Sequence, residues 1–470
     1  MVKNNCVNMS GVKRPHFVGI GGSGMSAIAK ILLKMGYEVS GSDIKESINT
    51  MRLRDLGARI YIGHSRGNVR DADIVVVSSA IPWDNEEINE AGIKRTPICQ
   101  RAELLSWVMD QYKVRIAVAG THGKTTTTSM IASILLHAGF DPTFLIGGDI
   151  NSIDGNARLG AGKLVVAEAD ESDKSFLKLH PSISVITNIE SDHIENYGSY
   201  ENILGTFFDF IDLLPKNGLL VINNDNETIK NKLNGITDKK IITYGFTEKS
   251  DFYADNFKFF ERRTKFDVYS NGKKAGEISL CVPGKQNILN AMASLIVGME
   301  VGCDLSQVNN GLQIFVGVKR RFQIIGDIGG VLVIDDYGHH PTELKATLEA
   351  ARLGYGRERR VICIFQPHRY TRTLHLHKEF GQAFSDADIV VITDIYSAGE
   401  DPIEGVSGEL VADEVRKQGK DISYIAGKEK VANHIMKIVR PGDIIMTVGA
   451  GDINITAKDI TNRLRGKFAS

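Results

Sequence analysis

The segment that most constrains this chain is residues 114–130, V-R-I-A-V-A-G-T-H-G-K-T-T-T-T-S-M. Its first five residues are mostly apolar and β-branched, as in a buried parallel strand. Gly120 and Gly123 come next, followed by Lys124 and Thr125, and the apolar spacing then becomes that of a helix. A strand, a glycine turn, Gly-Lys-Thr and a helix occur in this order in phosphate-binding loops.

Each part of this loop serves phosphate binding. Glycines let backbone N–H groups approach phosphate oxygens, and the helix N-terminus adds a positive dipole end. Lys124 can reach the β- and γ-phosphates, and the Thr125 hydroxyl can bind Mg²⁺. The fit is to G-T-x-G-K-T, because the first glycine of the common motif would fall at Val118. The predicted ATP-binding residues of the loop are Gly120, Thr121, His122, Gly123, Lys124, Thr125 and Thr126.

Length and composition bound the class of protein. A chain of 470 residues allows about three domains of ~150 residues, and 42% apolar with 24% charged residues is typical of globular proteins. A net charge of -1 gives no basic field for nucleic acid or an acidic membrane. The cysteines are scattered, the N-terminus lacks the apolar core of a signal peptide, and no apolar run is long enough to span a membrane. We therefore expect a cytoplasmic protein without nucleic-acid or membrane partners.

The first predicted domain, residues 1–113, contains a second glycine-rich turn. A short strand runs into G-I-G-G-S-G at residues 19–24, and a helix and a second strand ending at Asp43 follow. This order is typical of a Rossmann-like unit, whose acidic residue contacts a ribose. The turn indicates that a phosphorylated ligand approaches a helix N-terminus, but it does not distinguish NAD from a UDP-sugar.

Two more polar residues follow predicted strands of this domain. His64 comes after the strand at residues 60–62, and Ser79 comes after the strand at residues 74–77. Open α/β sheets bind ligands at this edge. From the residues alone, a ligand-binding role and an ordinary turn position are equally compatible with both.

The central predicted domain, residues 114–321, places acidic side chains after further strands. Glu168 follows one strand, and with Thr125 it can hold a Mg²⁺ ion on the nucleotide. His193 follows the next strand in T-N-I-E-S-D-H, where it is placed for a second ion. Alternating apolar residues over 251–282 predict a small antiparallel flap. The basic run around Arg320 leads into the next domain and suggests a phosphate contact.

The third predicted domain, residues 322–470, has strands that alternate with helices, as in a second open α/β sheet. The segment D-D-Y-G-H-H-P after its first strand includes Asp336 and His339. Another strand is followed by P-H-R-Y-T-R-T, which includes Arg369 and Arg372. A pair of arginines at a strand end suits a carboxylate, because guanidinium groups make forked hydrogen bonds.

Taken together, these motifs resemble those of the Mur ligases, and they extend over residues 19–453. The two segments of the third domain resemble the branch that adds L-alanine to UDP-N-acetylmuramate, whereas a sister branch adds a tripeptide. The motifs occur in the order G-I-G-G-S-G-M-S, G-T-H-G-K-T-T-T-T-S-M, E-A-D-E-S-D, T-N-I-E-S-D-H, G-V-K-R-R-F, D-D-Y-G-H-H-P-T-E, P-H-R-Y-T-R-T and G-A-G-D-I.

The resemblance implies an α/β fold of three domains. These would be a Rossmann-like UDP-binding domain, a central P-loop ATPase-type domain with a small antiparallel flap, and a C-terminal Rossmann-like ligase domain. It also implies an ATP-dependent amide ligase of peptidoglycan synthesis, with UDP-N-acetylmuramate, L-alanine and ATP as substrates and two Mg²⁺ ions. The muramate carboxylate would attack the γ-phosphate to give an acyl phosphate, and the amine of alanine would then displace phosphate.

The resemblance also implies roles by position. Lys124 would steady the γ-phosphate, Thr125 and Glu168 would hold one Mg²⁺, and Glu168 with His193 the second. The ATP base and ribose would contact Asn287 and Asp336. Alanine and the transferring phosphate would be oriented by His339, Arg369 and Arg372. The UDP-sugar would bind Gly21, Gly22, Ser23, Gly24, Asp43, His64 and Ser79. One departure is Gln286, which stands where the family usually has histidine.

Three other functions remain open at this point. An NAD-dependent dehydrogenase would explain the first glycine turn but not the Gly-Lys-Thr loop. A nucleotide-regulated binding protein would leave the acidic strand ends and the arginine pair unexplained. A tripeptide-adding ligase of the same family differs in the amino-acid substrate.

Overall fold

The computed structural model describes residues 7–149, 155–192, 194–233 and 235–468. The chain divides into two compact units. The first consists of Met1–Asp255, Asp267–Gly276 and Leu289–Ile314, and the second of Asn256–Phe266, Glu277–Ile288 and Phe315–Ser470. Strands form three sheets, and each sheet falls within one of the three predicted sequence ranges. No helix in the described part of the chain is both long and apolar enough to cross a membrane.

The N-terminal sheet has five parallel strands in the order β3-β2-β1-β4-β5. Parallel neighbours need crossover connections, which helices provide here. Apolar side chains are buried on both faces, as in a doubly wound sheet. Its elements are β1 (Pro15–Val18), α1 (Ser23–Lys34), β2 (Ser40–Asp43), α2 (Ile48–Asp55), β3 (Arg59–Ile62), a 3-10 helix (Arg66–Val69), β4 (Ile74–Val77), α3 (Glu86–Lys94), β5 (Ile98–Gln100) and α4 (Arg101–Asp110).

The central region begins at the strand of the phosphate loop. Its elements are β6 (Val114–Ala119), α5 (Lys124–His137), β7 (Thr143–Leu145), β8 (Ala157–Arg158), β9 (Leu164–Glu168), a 3-10 helix (Ser175–Lys178), β10 (Ile183–Ile186), α6 (Ile194–Tyr197), α7 (Tyr200–Asp212), β11 (Leu219–Asn223), α8 (Glu227–Leu233), β12 (Lys240–Gly245), β13 (Phe252–Phe260), β14 (Arg263–Ser270), β15 (Lys273–Leu280), α9 (Lys285–Glu300) and α10 (Leu305–Gln313).

The register of the central sheet brings the predicted nucleotide site together. Its ten strands have the order β15-β14-β13-β12-β11-β10-β6-β9-β7-β8. Strand β6 is parallel to both β9 and β10, so that Val118 pairs with Glu168 on one side and with Val185 on the other. The carboxyl ends of these three strands therefore lie side by side, where open α/β sheets bind ligands.

Strands β13, β14 and β15 form the predicted flap. Two-residue turns connect consecutive strands, which is the connection of antiparallel hairpins. The second turn is Asn271-Gly272, and both residues have positive φ, 49° and 74°. Asparagine and glycine tolerate this left-handed backbone, as a hairpin turn of this type requires.

The C-terminal sheet has six strands in the order β16-β17-β21-β18-β19-β20. Strand β16 is antiparallel to β17 at the edge, and the sequence analysis did not predict it. Each face of the sheet carries its own buried apolar cluster. The elements are β16 (Gln323–Ile328), β17 (Val331–Asp336), α11 (Pro341–Tyr355), β18 (Val361–Phe365), α12 (Tyr370–Gln382), β19 (Ile389–Thr393), α13 (Glu409–Lys417), β20 (Asp421–Ile425), α14 (Lys428–Ile438), β21 (Ile444–Val448) and α15 (Asn454–Phe468).

Candidate functional site

The phosphate loop connects β6 to α5, as the sequence predicts. Gly120 has φ +133°, and Gly123 has φ +86° at the N-cap of α5. An added Cβ at Gly120 would overlap the Thr187 hydroxyl, and one at Gly123 would lie 2.5 Å from Asn290 Oδ1. Both positions therefore require glycine for space as well as for backbone conformation.

The loop is held by the segment that follows β10. The backbone N–H of His122 donates to Asn188 Oδ1 at 2.9 Å, and Asn188 Nδ2 donates to the His122 carbonyl at 2.9 Å. The Glu190 N–H donates to the Thr121 hydroxyl at 2.9 Å. Sequence reasoning noted T-N-I-E-S-D-H at this strand end but did not identify Asn188 as the residue that fixes the loop.

Lys124 is the first residue of α5, and its ammonium group makes three hydrogen bonds. It donates to the carbonyls of Gly120 and Thr121 at 2.6 and 3.0 Å and to Glu171 Oε1 at 2.7 Å. Burial opposes its charge, but the carboxylates of Glu171 and Glu168 outweigh burial, and the pKa of Lys124 is raised. The lysine therefore stays cationic, as phosphate binding requires.

Glu171 is a member of the site that sequence reasoning did not identify. Its side chain is only 5% exposed, and Oε2 has no hydrogen-bond partner within the part of the chain described here. Burial raises its pKa to about 7, against the opposing effect of Lys124. A phosphate that binds Lys124 must compete with this carboxylate. The only sequence signal was its place in the acidic run E-A-D-E-S-D.

Thr125 and Glu168, which were both predicted to bind Mg²⁺, lie next to each other. The Thr125 hydroxyl donates to Glu168 Oε1 at 3.0 Å, and the Gly147 N–H donates to Glu168 Oε2 at 2.8 Å. A hydroxyl and a carboxylate are hard oxygen donors, which fits Mg²⁺. Thr126 lies in the first turn of α5. The other predicted metal ligand, His193, lies outside the described residues.

The predicted UDP-sugar residues lie at the carboxyl ends of β1 to β4. The Gly21 N–H donates to Asp43 Oδ2 at 2.8 Å, so the glycine turn and the acidic residue are in direct contact. Gly22 is the N-cap of α1, and Ser23 and Gly24 form its first turn. His64 Nδ1 lies 2.9 Å from the Ser42 hydroxyl.

Two of these residues also contact the central region within the first unit. The Ser79 hydroxyl donates to Asp173 Oδ2 at 2.7 Å. The Ser23 carbonyl accepts from Asn156 Nδ2 at 2.7 Å. The predicted UDP-sugar residues, called the UDP-side residues below, therefore lie against the central region, including the acidic segment at residues 168–173.

In the second unit, Arg320 and Asp336 hold the backbone of their own domain. Arg320 Nε donates to Asp335 Oδ2 at 3.2 Å, and its Nη atoms donate to the carbonyls of Gly449 and Gly451 at 2.6 and 2.9 Å. The two oxygens of Asp336 accept from the N–H groups of Phe322 and Gly338 at 2.7 and 2.8 Å. Burial raises the pKa of Asp336.

Gln286 and Asn287 lie in the first turn of α9, in the part of the helix that belongs to the second unit. Asn287 is buried, and its Nδ2 donates to the Pro283 carbonyl at 2.6 Å. Gln286 Nε2 is 3.5 Å from the Ala346 carbonyl, and its buried Oε1 has no partner among the described residues. An amide oxygen of this kind can accept a hydrogen bond from the amino group of an adenine ring.

A ring and guanidinium cluster forms at the ends of β17 and β18. The His339 ring contacts Tyr337 and His368 edge to face, at 5.4 and 5.6 Å between centroids. The His368 ring also stacks on Tyr396 at 5.8 Å. Arg372 Nη1 lies 3.4 Å from His368 Nδ1 and donates to it.

His368 was not predicted as a site residue, although it lies within the P-H-R-Y-T-R-T motif. Burial, followed by the nearby charges of His339 and Arg372, lowers its pKa to about 3, so its imidazole is neutral at neutral pH. Arg369 beside it has φ +68°, a left-handed conformation that is uncommon for a residue with a side chain. Backbone strain of this kind clusters at functional sites.

These features define a class of protein: a nucleotide-dependent α/β enzyme with a P-loop and a carboxylate–hydroxyl pair on one unit and a cluster of rings and guanidinium groups on the other. The chain belongs to the Mur ligase family. The family's catalytic domain matches residues 14–113, its middle domain residues 118–298, and its glutamate ligase domain residues 320–451.

The chain is similar over almost its whole length to proteins that are named as ligases. The UDP-N-acetylmuramate–L-alanine ligase of Geotalea daltonii is 49% identical over 97% of this chain and 98% of its own. The ligase of the same name from Geobacter sulfurreducens is 49% identical over 94% of this chain and 96% of its own.

A solved structure agrees with these relatives. The UDP-N-acetylmuramate–alanine ligase of Thermotoga maritima has a TM-score of 0.83 and 33% identity, and the match covers 97% of this chain and 99% of the other. The murein peptide ligase of Psychrobacter arcticus has a TM-score of 0.70 at 24% identity, over 96% and 98% of the two chains, which shows a shared fold. The three-domain α/β fold predicted from the sequence is confirmed.

Proposed function

We propose that this chain is an ATP-dependent amide ligase that joins L-alanine to the carboxylate of UDP-N-acetylmuramate, a step of bacterial peptidoglycan synthesis. The proposal depends above all on the 49% identity, over 97% of the chain, to a ligase named for this reaction. The phosphate loop and the Thr125–Glu168 pair supply a matching ATP site. Membership of the Mur ligase family favours this function over a dehydrogenase.

In the first half-reaction, the muramate carboxylate attacks the γ-phosphate of ATP, and ADP leaves. Lys124 turns its ammonium donors from Glu171 to the phosphate oxygens, and the loop N–H groups hold the β-phosphate. Thr125 and Glu168 would hold one Mg²⁺, and His193 is the predicted ligand of a second. When bound, Mg²⁺ neutralises negative charge that develops during phosphoryl transfer.

In the second half-reaction, the amine of alanine attacks the acyl carbon, and phosphate leaves. Arg369 and Arg372 lie on the strand-end cluster where forked hydrogen bonds to the alanine carboxylate are favourable. The neutral imidazole of His368 accepts from Arg372 through Nδ1 and therefore presents its other nitrogen as a donor. In this proposal, UDP binds the first glycine turn with Asp43, His64 and Ser79, and Asn287, Arg320 and Asp336 serve ATP.

The test is phosphate release from ATP and Mg²⁺ with UDP-N-acetylmuramate, with and without L-alanine. We expect release only with both substrates and a product heavier by one alanyl unit. Lys124→Ala should abolish release and keep UDP binding, which controls for unfolding. Phosphate release that requires a tripeptide would assign the chain to the sister branch. The absence of release with both L-alanine and the tripeptide would exclude ligase activity.

A further inference from the structure

Glu87 is a buried carboxylate that the proposed reaction does not use. It lies at the start of α3, and its side chain is 0% exposed. One oxygen, Oε1, accepts from Asn68 Nδ2 at 2.6 Å and from the Ser65 N–H at 3.2 Å. The other, Oε2, accepts from the Ser42 hydroxyl at 2.6 Å and lies 3.3 Å from His16 Nε2. Each of these four groups donates a hydrogen bond to the carboxylate.

These donors keep Glu87 ionised. Burial alone would raise its pKa, but hydrogen bonds from His16, Ser42 and Asn68 lower the pKa to about 2. At neutral pH the side chain is therefore a carboxylate, which only accepts hydrogen bonds.

The charge of Glu87 determines the direction of the hydrogen bond between Ser42 and His64. The Ser42 hydroxyl has one proton, which it donates to Glu87. Its oxygen must then accept from His64 Nδ1, which is 2.9 Å away. A neutral His64 with its proton on Nδ1 has a lone pair on Nε2, so Nε2 is a hydrogen-bond acceptor.

His64 carries this acceptor to the ligand edge of the N-terminal sheet. It follows β3, whose last residue Ile62 pairs with Asp43 of β2. The His64 side chain is 19% exposed, and within the described part of the chain Nε2 has no hydrogen-bond partner. The lone pair is therefore available to a bound molecule.

We propose that Glu87, acting through Ser42, fixes the Nδ1–H form of His64 and so selects a uracil base over a cytosine base. Uracil has an N–H at ring position 3, which can donate a hydrogen bond to an acceptor such as His64 Nε2. Cytosine has a lone pair at that position, and this lone pair would repel the lone pair of Nε2. Glu87 and Ser42 are positioning residues, because neither contacts the base. The inference rests on one part of the proposed function, the contact of His64 with the UDP part of the substrate, and does not depend on the ligase reaction itself.

Strand β2 offers a matched control for this network. Ser40 lies two positions before Ser42, and its hydroxyl is 2.9 Å from Nδ1 of another histidine, His16. Because His16 Nε2 faces the Glu87 carboxylate, its Nδ1 accepts from Ser40. Ser40→Ala thus removes a serine–histidine hydrogen bond from the same strand, and Ser40 itself makes no hydrogen bond to His64.

The experiment is calorimetric titration of the full chain with UDP and with CDP. Wild type should bind UDP at least tenfold more tightly than CDP. Ser42→Ala should weaken UDP about tenfold and bring the two affinities within threefold of each other, because His64 can then present a donor on Nε2. Ser40→Ala should keep the wild-type ratio. Glu87→Gln should lower the ratio of UDP affinity to CDP affinity, as Ser42→Ala does. If Glu87→Gln does not fold, the result for Ser42→Ala decides the test.

Turnover separates a positioning role from a general loss of structure. Ser42→Ala should raise the KM for UDP-N-acetylmuramate about tenfold and leave the KM for ATP within twofold of wild type. An unchanged UDP-to-CDP ratio in Ser42→Ala, an equal loss in Ser40→Ala, or no preference in wild type would overturn the inference. Base selection without ligase turnover would instead reject the proposed function and leave the inference standing.

Discussion

Arg372 carries a buried guanidinium group that lies beside the neutral imidazole of His368. 

Its Nη1 donates to His368 Nδ1 at 3.4 Å. A carboxylate that binds here gains a charge-assisted hydrogen bond in a partly buried setting.

We expect Arg372→Ala to raise the KM for L-alanine tenfold or more and to change the KM for ATP less than threefold. The loss of a charged hydrogen bond from a buried site has about this effect on binding. Steady-state kinetics with each substrate varied in turn measures it. Arg463→Ala, which removes a partly exposed arginine of α15 paired with Asp459 at 2.8 Å, is the control. An unchanged KM for alanine would remove Arg372 from the amino-acid site.

Glu87 gives the N-terminal domain a pH dependence. Its pKa is about 2 in the folded state, against 4.5 as its ordinary value. The carboxylate therefore stabilises the fold fully above about pH 4.5, and this contribution is lost as the pH falls towards 2. The shift corresponds to on the order of 3 kcal/mol.

We expect the difference in thermal midpoint between wild type and Glu87→Gln to be largest near pH 7 and to shrink by pH 3.5. Thermal unfolding at both pH values measures it. Glu90→Gln, on the same helix in an ion pair with Lys94 at 3.4 Å, should show little difference at either pH. A constant difference for Glu87→Gln would mean that its pKa is not lowered.

At the residue scale, the sequence identifies site residues that directly follow a strand. It does not identify residues whose role depends on a particular hydrogen bond. The contacts of Thr125 with Glu168 and of Gly21 with Asp43 join residues that strand order alone brings to one edge. The roles of Glu171, Asn188 and His368 depend on which atom each side chain faces. A linear pattern holds no information of that kind.

At the element scale, the loop between β6 and α5 depends on the backbone of Gly120. Gly120→Ala places a Cβ on the Thr187 hydroxyl at a φ of +133°. We expect this variant to lose ATP turnover at least a hundredfold, because the loop N–H groups move away from the phosphate. Gly139→Ala, at φ +81° with open space around it, should lower stability by about 1 kcal/mol and keep turnover. Measured kcat/KM for ATP and thermal midpoints compare the two, and near-normal turnover in Gly120→Ala would contradict the assigned loop geometry.

Strands are predictable from the sequence where they consist of a continuous apolar run, and such runs are buried in the structure. Strand β21, Ile444–Val448, is one such run, and all five of its residues are buried. Strand β16 was missed, because all its residues are only partly buried or exposed and its alternation is interrupted by an irregular register near Gly326. The two-residue strand β8 is too short to give a period at all.

At the scale of the whole molecule, all the predicted UDP-side residues lie in the first compact unit. A ligand that binds only the folded form stabilises it by RT ln(1 + [L]/Kd), about 2.7 kcal/mol at a hundredfold excess over Kd. UDP should therefore slow amide exchange at residues 19–24, 43 and 63–64 and leave β17, β18 and α12 of the second unit unchanged.

Hydrogen exchange followed by mass spectrometry measures this protection with UDP as the single ligand. Lys124→Ala should show the same pattern, because the phosphate loop is not part of the UDP-side residues. Protection of equal size in β17 and β18 would contradict the assignment of UDP to the first unit. Protection confined to residues 120–126 would place UDP in the phosphate loop and assign the first glycine turn to another ligand.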